Sequence, residues 1–212
     1  MTLVLDNLTL TLAGRTLARL SLDVAPAQVT TIMGPSGCGK SSVLLAVAGA
    51  LPPVFTLSGR VHLNGTDLLP LPAHKRRVGL LFQDDILFPH LSVAGNLGFG
   101  LPRSTPDRAA RIEAALHAAD LSGMGPRDPA TLSGGQRARV ALMRTLLSEP
   151  RALLLDEPFS KLDADLRAQM RDFVFATARA HALPVLMVTH DADDARAAGG
   201  PVVNVMGDRL AL

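Results

Sequence analysis

Tyrosine and tryptophan are both missing from this chain of 212 residues, and aromatics make up only 3% of it. Any stacking on an aromatic ring must therefore fall to seven Phe or six His. One cysteine, Cys38, excludes an internal disulfide framework and a zinc site built from several thiolates. Lysine is scarce, with Lys40, Lys75 and Lys161 the full complement, so the basic residues are nearly all arginine. Basic and acidic side chains almost balance, 21 against 19, for a formal net charge of +2. Without a broad positive field, no nucleic-acid partner is expected. Met1 to Asn7 has no basic leader and Asp6 interrupts its apolar start, so no targeting segment is expected. The longest uncharged stretch, 41–59, is cut by Pro52-Pro53 and reads as a buried helix followed by a turn.

What is present is a folding composition. Hydrophobic residues account for 48% and charged residues for 19%, the reverse of a disordered chain. The length supports one substantial core. A mean hydropathy of +0.26 fits either an Ala/Leu-rich core or a surface covered by a partner. Leu3, Leu5, Leu8, Leu10 and Leu12, then Leu20, Leu22 and Val24, alternate as an antiparallel hairpin turning at Ala13-Gly14-Arg15. Short apolar strands follow at Val29–Met33, Val78–Phe82, Ala152–Leu155, Val185–Val188 and Val202–Val205. Helical spacing appears in 107–120 (Ile112, Ala115, Leu116, Ala119) and in 164–181 (Leu166, Met170, Phe173, Val174). This alternation predicts an α/β fold, a mainly parallel sheet flanked by helices with an N-terminal antiparallel part. Active groups then gather at the carboxyl ends of the strands. From about 84 to 132 there is helix but no convincing strand, which reads as a helical insert with a flexible stretch at 102–107.

Gly34-Pro35-Ser36-Gly37-Cys38-Gly39-Lys40-Ser41 fits the phosphate-loop pattern, with Ser42 following, between a predicted strand and a predicted helix. Its glycines let backbone N–H groups converge on an anion at the positive end of the helix. Lys40 is placed to reach the β- and γ-phosphates, and the Ser41 hydroxyl to bind Mg²⁺. Alone, the motif implies only that a nucleoside triphosphate binds. A second anion site is expected at Ser133-Gly134-Gly135-Gln136, where Ser133 is a natural N-cap and the two glycines leave the helix end bare.

Together with Leu132, those four residues match the signature of one family, and nearly the whole chain resembles an ATP-binding-cassette (ABC) ATPase, the separate nucleotide-binding subunit of a transporter. It is most like compact bacterial importer-type subunits. The resemblance implies a P-loop NTPase fold in a single domain, 1–212, with 1–83 and 133–212 forming the β-subdomain and core and about 84–132 a helical subdomain. It implies ATP and Mg²⁺ as cofactors. It also implies a head-to-tail dimer with a second copy, in which the signature of one subunit caps ATP on the phosphate loop of the other. Asp156 and Glu157 end a buried strand. Asp156 is then a Mg²⁺ ligand with Ser41 and Gln83, and Glu157 resembles the general base. Gln83 also resembles the residue that senses the partner. His190 resembles the switch histidine near the γ-phosphate, and Asp163, in Ser160-Lys161-Leu162-Asp163, the residue that crosses the dimer.

The coupling surface expected from the resemblance is Asp84–Gly98, which would expose Ile86, Leu87 and Phe88 to a polytopic permease at the inner face of the bacterial plasma membrane. Import is the leading reading. An exporter subunit and a soluble, non-transport cassette ATPase are the alternatives. The sequence also departs from the family. The aromatic that usually stacks on adenine before the phosphate loop is missing, since the first Phe is Phe55 and the first His is His62. Arg15, or the apolar surface around Leu12, is the expected stand-in, with a solvated turn the plainer role for Arg15. Ala27-Gln28 also replaces the usual Gly-Glu turn. Cys38, inside the phosphate loop, reads as a small residue that fits there, with redox control the alternative.

Overall fold

The computed structural model describes residues 1–84 and 86–211. Strands β1 (Leu3–Leu12) and β2 (Arg15–Val24) form the expected hairpin. Ala13 and Gly14, both with positive φ, make a two-residue turn whose twist suits the flanking strands. Leu3, Leu5, Leu8 and Leu10 all point into the core. The three-residue step from Leu5 to Leu8 stays on one face because β1 carries an extra residue there against both its neighbours. The facing strand answers with Gly59, where an added Cβ would lie 2.3 Å from the Asn7 carbonyl oxygen.

That facing strand, β4 (Phe55–Leu63), was not anticipated. The stretch read as helix then turn is a shorter helix, α1 (Lys40–Ala48), capped by left-handed Gly49, then a turn over Pro52 to Phe55, then a strand. With the short β5 (Thr66–Asp67), these strands form an antiparallel sheet in the order β2-β1-β4-β5.

The second sheet is wholly parallel. Its strands are β3 (Val29–Met33), β6 (Val78–Leu81), β7 (Ala152–Asp156), β8 (Val185–Thr189) and β9 (Val202–Val203), in the order β6-β7-β8-β3-β9. β6 stops one residue short of the expected Phe82, and β9 two short of Val205. Both faces are covered, as a parallel sheet requires. Leu154, Leu186, Val188 and Ile32 pack towards α1 and the antiparallel sheet. Leu153, Leu155, Val185 and Met187 pack with α4 (Gly134–Leu147) and α5 (Ala164–Ala180). The same apolar cluster takes in α2 (Val93–Gly100) and α3 (Arg108–Ala118). Among the described residues, 84–132 hold no strand. A last helix, α6 (Ala192–Ala198), is too short to show a period in sequence.

Because β3, β6, β7 and β8 run parallel, their carboxyl ends share one edge of the sheet. Residues 34–39, Gln83, Asp156-Glu157 and His190 all leave the sheet at that edge.

Candidate functional site

The loop after β3 bends through Gly37 and Gly39, with φ of 79° and 100°. Gly39 is the N-cap of α1, and an added Cβ there would sit 3.3 Å from Leu17 Cβ. Left-handed backbone and close approach both require glycine at this position. Lys40 is 4% exposed. Its ammonium donates to the carbonyl oxygens of Gly34 (2.8 Å) and Pro35 (2.9 Å), inside the curve of the loop. These contacts hold the charge where an anion on the loop would meet it.

Ser41, the next residue on α1, donates its hydroxyl to Asp156 Oδ1 at 2.8 Å. Burial pushes the Asp156 carboxyl above the usual aspartate range, while the Ser41 hydrogen bond pulls it back and Glu157 adds to the rise. A carboxylate raised by burial gains from a cation. The hydroxyl and carboxylate oxygens set side by side are hard donors that fit Mg²⁺, which takes one or two protein oxygens and completes its shell with phosphate and water.

Glu157 stands at the centre. It has φ of 45°, the left-handed region that a glutamate rarely adopts. The surrounding structure fixes this backbone. Glu157 N donates to Val188 O (3.0 Å), and Glu157 O accepts from Ser160 N (3.2 Å) and Ser160 Oγ (3.0 Å). Its carboxylate thereby reaches both flanks of the site, with Oε1 3.7 Å from Lys40 Nζ and Oε2 3.1 Å from His190 Nδ1. Strain held in place by neighbours is a mark of functional positions. Gln83 joins the same pocket, and its Nε2 donates to Ser160 Oγ at 3.2 Å rather than to Ser41 or Asp156. The pocket encloses about 420 Å³ over the loop, and its walls include Lys40, Ser41, Gln83 and Glu157.

The other half of the expected site lies elsewhere. Ser133, Gly134, Gly135 and Gln136 begin α4 beside α5; none lines the pocket over the phosphate loop, and Gly134 borders a separate hollow with Asp84, Lys161 and Leu162. Ser133 Oγ accepts from Gln136 N, and Gln136 Oε1 accepts from Ser133 N at 2.9 Å, a reciprocal cap. The helix end is thus less bare than the glycines imply. Gly135 is buried, and an added Cβ would lie 2.5 Å from Leu166 of α5, so this glycine serves packing. Gly134 has open space, with nothing nearer than 3.9 Å to an added Cβ. Asp163 caps α5, its carboxylate accepting from Leu166 N at 3.0 Å.

Two contributions were not visible in the sequence. Ser160, read only as part of the loop that crosses the dimer, links Glu157 to Gln83, and Arg167 of α5 pairs with Asp191 at 2.6 Å, just after His190. Arg15 does not line the pocket; Leu12, Leu17 and Phe55 do. Within the expected coupling surface, Asp85 lies outside the described residues. Ile86 is exposed, but Phe88 is only half so, tucked under Arg144 and against Phe99, with ring centroids 4.6 Å apart. Phe99, one residue beyond that surface, is the more exposed aromatic, and Phe82, just before Gln83, is exposed as well.

Comparison with known proteins agrees with this geometry. The family model for ABC transporters matches residues 17–160. The chain is 48% identical over 182 residues to the ABC transporter ATP-binding protein YnjD of Escherichia coli (strain K12), covering 85% of this chain and 84% of that protein. It is 42% identical over 187 residues to the Fe(3+) ions import ATP-binding protein FbpC of Agrobacterium fabrum, covering 87% of this chain and 52% of that one. It is 43% identical over 216 residues to FbpC 3 of Rhodococcus jostii, covering 99% of this chain and 61% of that one. The chain thus spans between half and two thirds of these iron-import relatives. With a lysine-bearing phosphate loop, paired acids and a histidine on one sheet edge, and the family's motifs spread through most of its length, this chain belongs to the ABC transporter family of ATP-binding proteins.

Proposed function

We propose that this ABC ATPase hydrolyses ATP as a head-to-tail pair and powers a bacterial importer from the inner face of the plasma membrane. The observation that carries the reading is the division of the motifs. Lys40, Ser41, Gln83, Asp156, Glu157 and His190 converge, whereas the signature presents exposed Ser133 and half-buried Gly134 away from the pocket over the phosphate loop. A second copy, turned head to tail, supplies the missing half, with Gly134 and its free space facing the nucleotide. Relatives named for Fe(3+) ion import support import over export. A polytopic permease is the partner this reading calls for, as for the relatives named as import ATP-binding proteins.

The chemistry follows from the side chains. Residues 34–42, through the backbone N–H groups that all but Pro35 carry, and Lys40 hold the phosphates and counter charge that develops on the γ-phosphoryl group. Ser41, Asp156 and Gln83 would hold Mg²⁺, which supplies further neutralisation of phosphate charge. Glu157 accepts the proton of the attacking water. His190 orients that carboxylate from one side and Lys40 draws it from the other. Gln83 and the segment up to Gly98 and Phe99 lead from the site to an apolar surface, and the helical segment 84–132 transmits closure of the pair to the permease.

Glu157→Gln tests the reading. It should bind ATP, lose turnover by about 10²- to 10⁴-fold, and sediment as a dimer with ATP. Extracted from native membranes, it should bring a polytopic permease with it. Wild-type turnover, or recovery with soluble partners only, overturns the reading.

A further inference from the structure

The geometry points to Phe55 as the platform on which the nucleotide base stacks, in a subsite that selects a ring face and not a hydrogen-bonding pattern. The inference rests on the reading of residues 34–42 as the ATP site and concerns the end of the pocket away from the phosphates.

Three strands build that end. Leu12 closes β1, and its cross-strand partner on β4 is Phe55. The turn across Pro52, with Phe55 N donating to Pro52 O at 3.2 Å, brings the chain back from α1 to begin β4 at this residue. Leu17 comes from β2. There the register against β1 advances from Leu10 opposite Ala18 to Thr11 opposite Thr16, leaving Leu17 as an extra residue. Such a bulge re-aims a side chain, and Leu17 lies against Gly39 at the rim of the phosphate loop. Phe55 is partly buried and packed on the apolar core, so its position is fixed while it still lines the pocket.

The pocket's remaining side chains belong to the phosphate loop, α1, Gln83 and Glu157, which occupy the phosphate end. A triphosphate held by Lys40 and Ser41 therefore directs its sugar and base past Leu17 towards Leu12 and Phe55. Phe55 is the one aromatic in the lining. Every base has a π-face, so stacking on phenylalanine favours binding without reading the base edge. Leu12, Leu17 and Phe55 offer no donor or acceptor in their side chains, so no side chain at this end reads the purine edge. A ring supplied from β4, after the phosphate loop in sequence, takes the place left vacant by the lack of any aromatic before it.

Because the chain lacks tryptophan, Phe55→Trp introduces a single fluorophore at the subsite. MgATP and MgGTP should each change its emission, whereas Mg-tripolyphosphate, which has no base, should bind without that change. Phe55→Leu keeps an apolar side chain on β4. It should weaken MgATP binding about tenfold or more, leave Mg-tripolyphosphate affinity at the wild-type value, and bring MgATP towards the affinity of tripolyphosphate. In the wild type, MgATP and MgGTP should differ by less than about fivefold. Unchanged MgATP affinity in Phe55→Leu overturns the platform. A strong preference for ATP over GTP overturns the edge-blind subsite. If the wild-type chain binds neither MgATP nor Mg-tripolyphosphate, or Lys40→Ala binds them as well as wild type does, the reading of the phosphate loop itself fails. Tripolyphosphate binding by Phe55→Leu at the same time shows that the variant is folded.

Discussion

His190 Nδ1 lies 3.1 Å from Glu157 Oε2, joining the ends of two adjacent parallel strands, β8 and β7, through their functional side chains. The contact fixes the imidazole through one nitrogen and leaves the other for a second partner. It also fixes one oxygen of Glu157, whose backbone is already held in the left-handed region. His190→Ala should therefore reduce turnover by about 10²-fold or more, the scale of a lost acid–base element. Nucleotide affinity should stay within a few-fold, because the loop contacts of Lys40 do not involve His190. Steady-state ATPase assays with parallel nucleotide titrations separate the two. Equal losses in affinity and turnover would place His190 in ground-state binding instead.

The two glycines of the signature should behave in opposite ways. Gly134 has room for a methyl group, so Gly134→Ala should leave stability unchanged or raise it by about 0.4–1 kcal/mol through the unfolded chain. Turnover should nevertheless fall if this helix end closes on a nucleotide held by another copy. Gly135→Ala presses on Leu166 and should destabilise by about 1–3 kcal/mol. Thermal denaturation and ATPase rate, measured on both variants, test this. A Gly134→Ala protein with full turnover would count against the shared site.

Much of this site was legible in the sequence because its parts are local. The phosphate loop, the paired acids at the end of a buried apolar run and the capped start of α4 each need only a few consecutive residues. The parallel sheet was legible for the same reason, since β3, β7 and β8 are short apolar runs. β4 was not, because Gly59 interrupts its alternation, and that glycine is explained only by the Asn7 carbonyl across the sheet. Phe55 was set aside because it follows the phosphate loop in sequence; its place beside Leu12 is a matter of strand register, which the sequence does not display. Ser160 and Arg167 likewise act through partners far along the chain.

Asp191 gives a pH prediction. Burial tends to raise its carboxyl, but the backbone N–H groups of Asp193 and Asp194, with Arg167 and Arg171, outweigh that and hold it below the usual aspartate range. The folded protein thus binds this proton less tightly than the unfolded chain. The resulting stabilisation is complete above the unfolded value, about 3.9, and is lost as pH falls through the lower folded value. Nearby Asp194 works the other way, its carboxyl raised by burial and by Asp191. Asp191→Asn should lower the melting temperature at neutral pH, and the gap to wild type should close in acid. A gap that is constant with pH would show that Asp191 acts only as the neutral cap of α6.

Ser160 carries the last prediction. Its hydroxyl donates to Glu157 O at 3.0 Å and accepts from Gln83 Nε2 at 3.2 Å, so one side chain joins the loop after β7 to the segment after β6. Lys161 pairs with Asp84 beside it, but both are exposed, and such a pair contributes about 0–1 kcal/mol. The hydroxyl therefore carries most of the link. Its loss removes one of the bonds that keep Glu157 at positive φ and releases Gln83 together. Ser160→Ala should cost about 1 kcal/mol of stability and about tenfold or more in turnover, because a small displacement of Glu157 is felt directly in the reaction. Ser160→Thr, which keeps the oxygen, should recover most of the turnover. If alanine and threonine behave alike in ATPase assays, the backbone N–H of Ser160 alone holds Glu157 in place and Gln83 does not communicate through this residue.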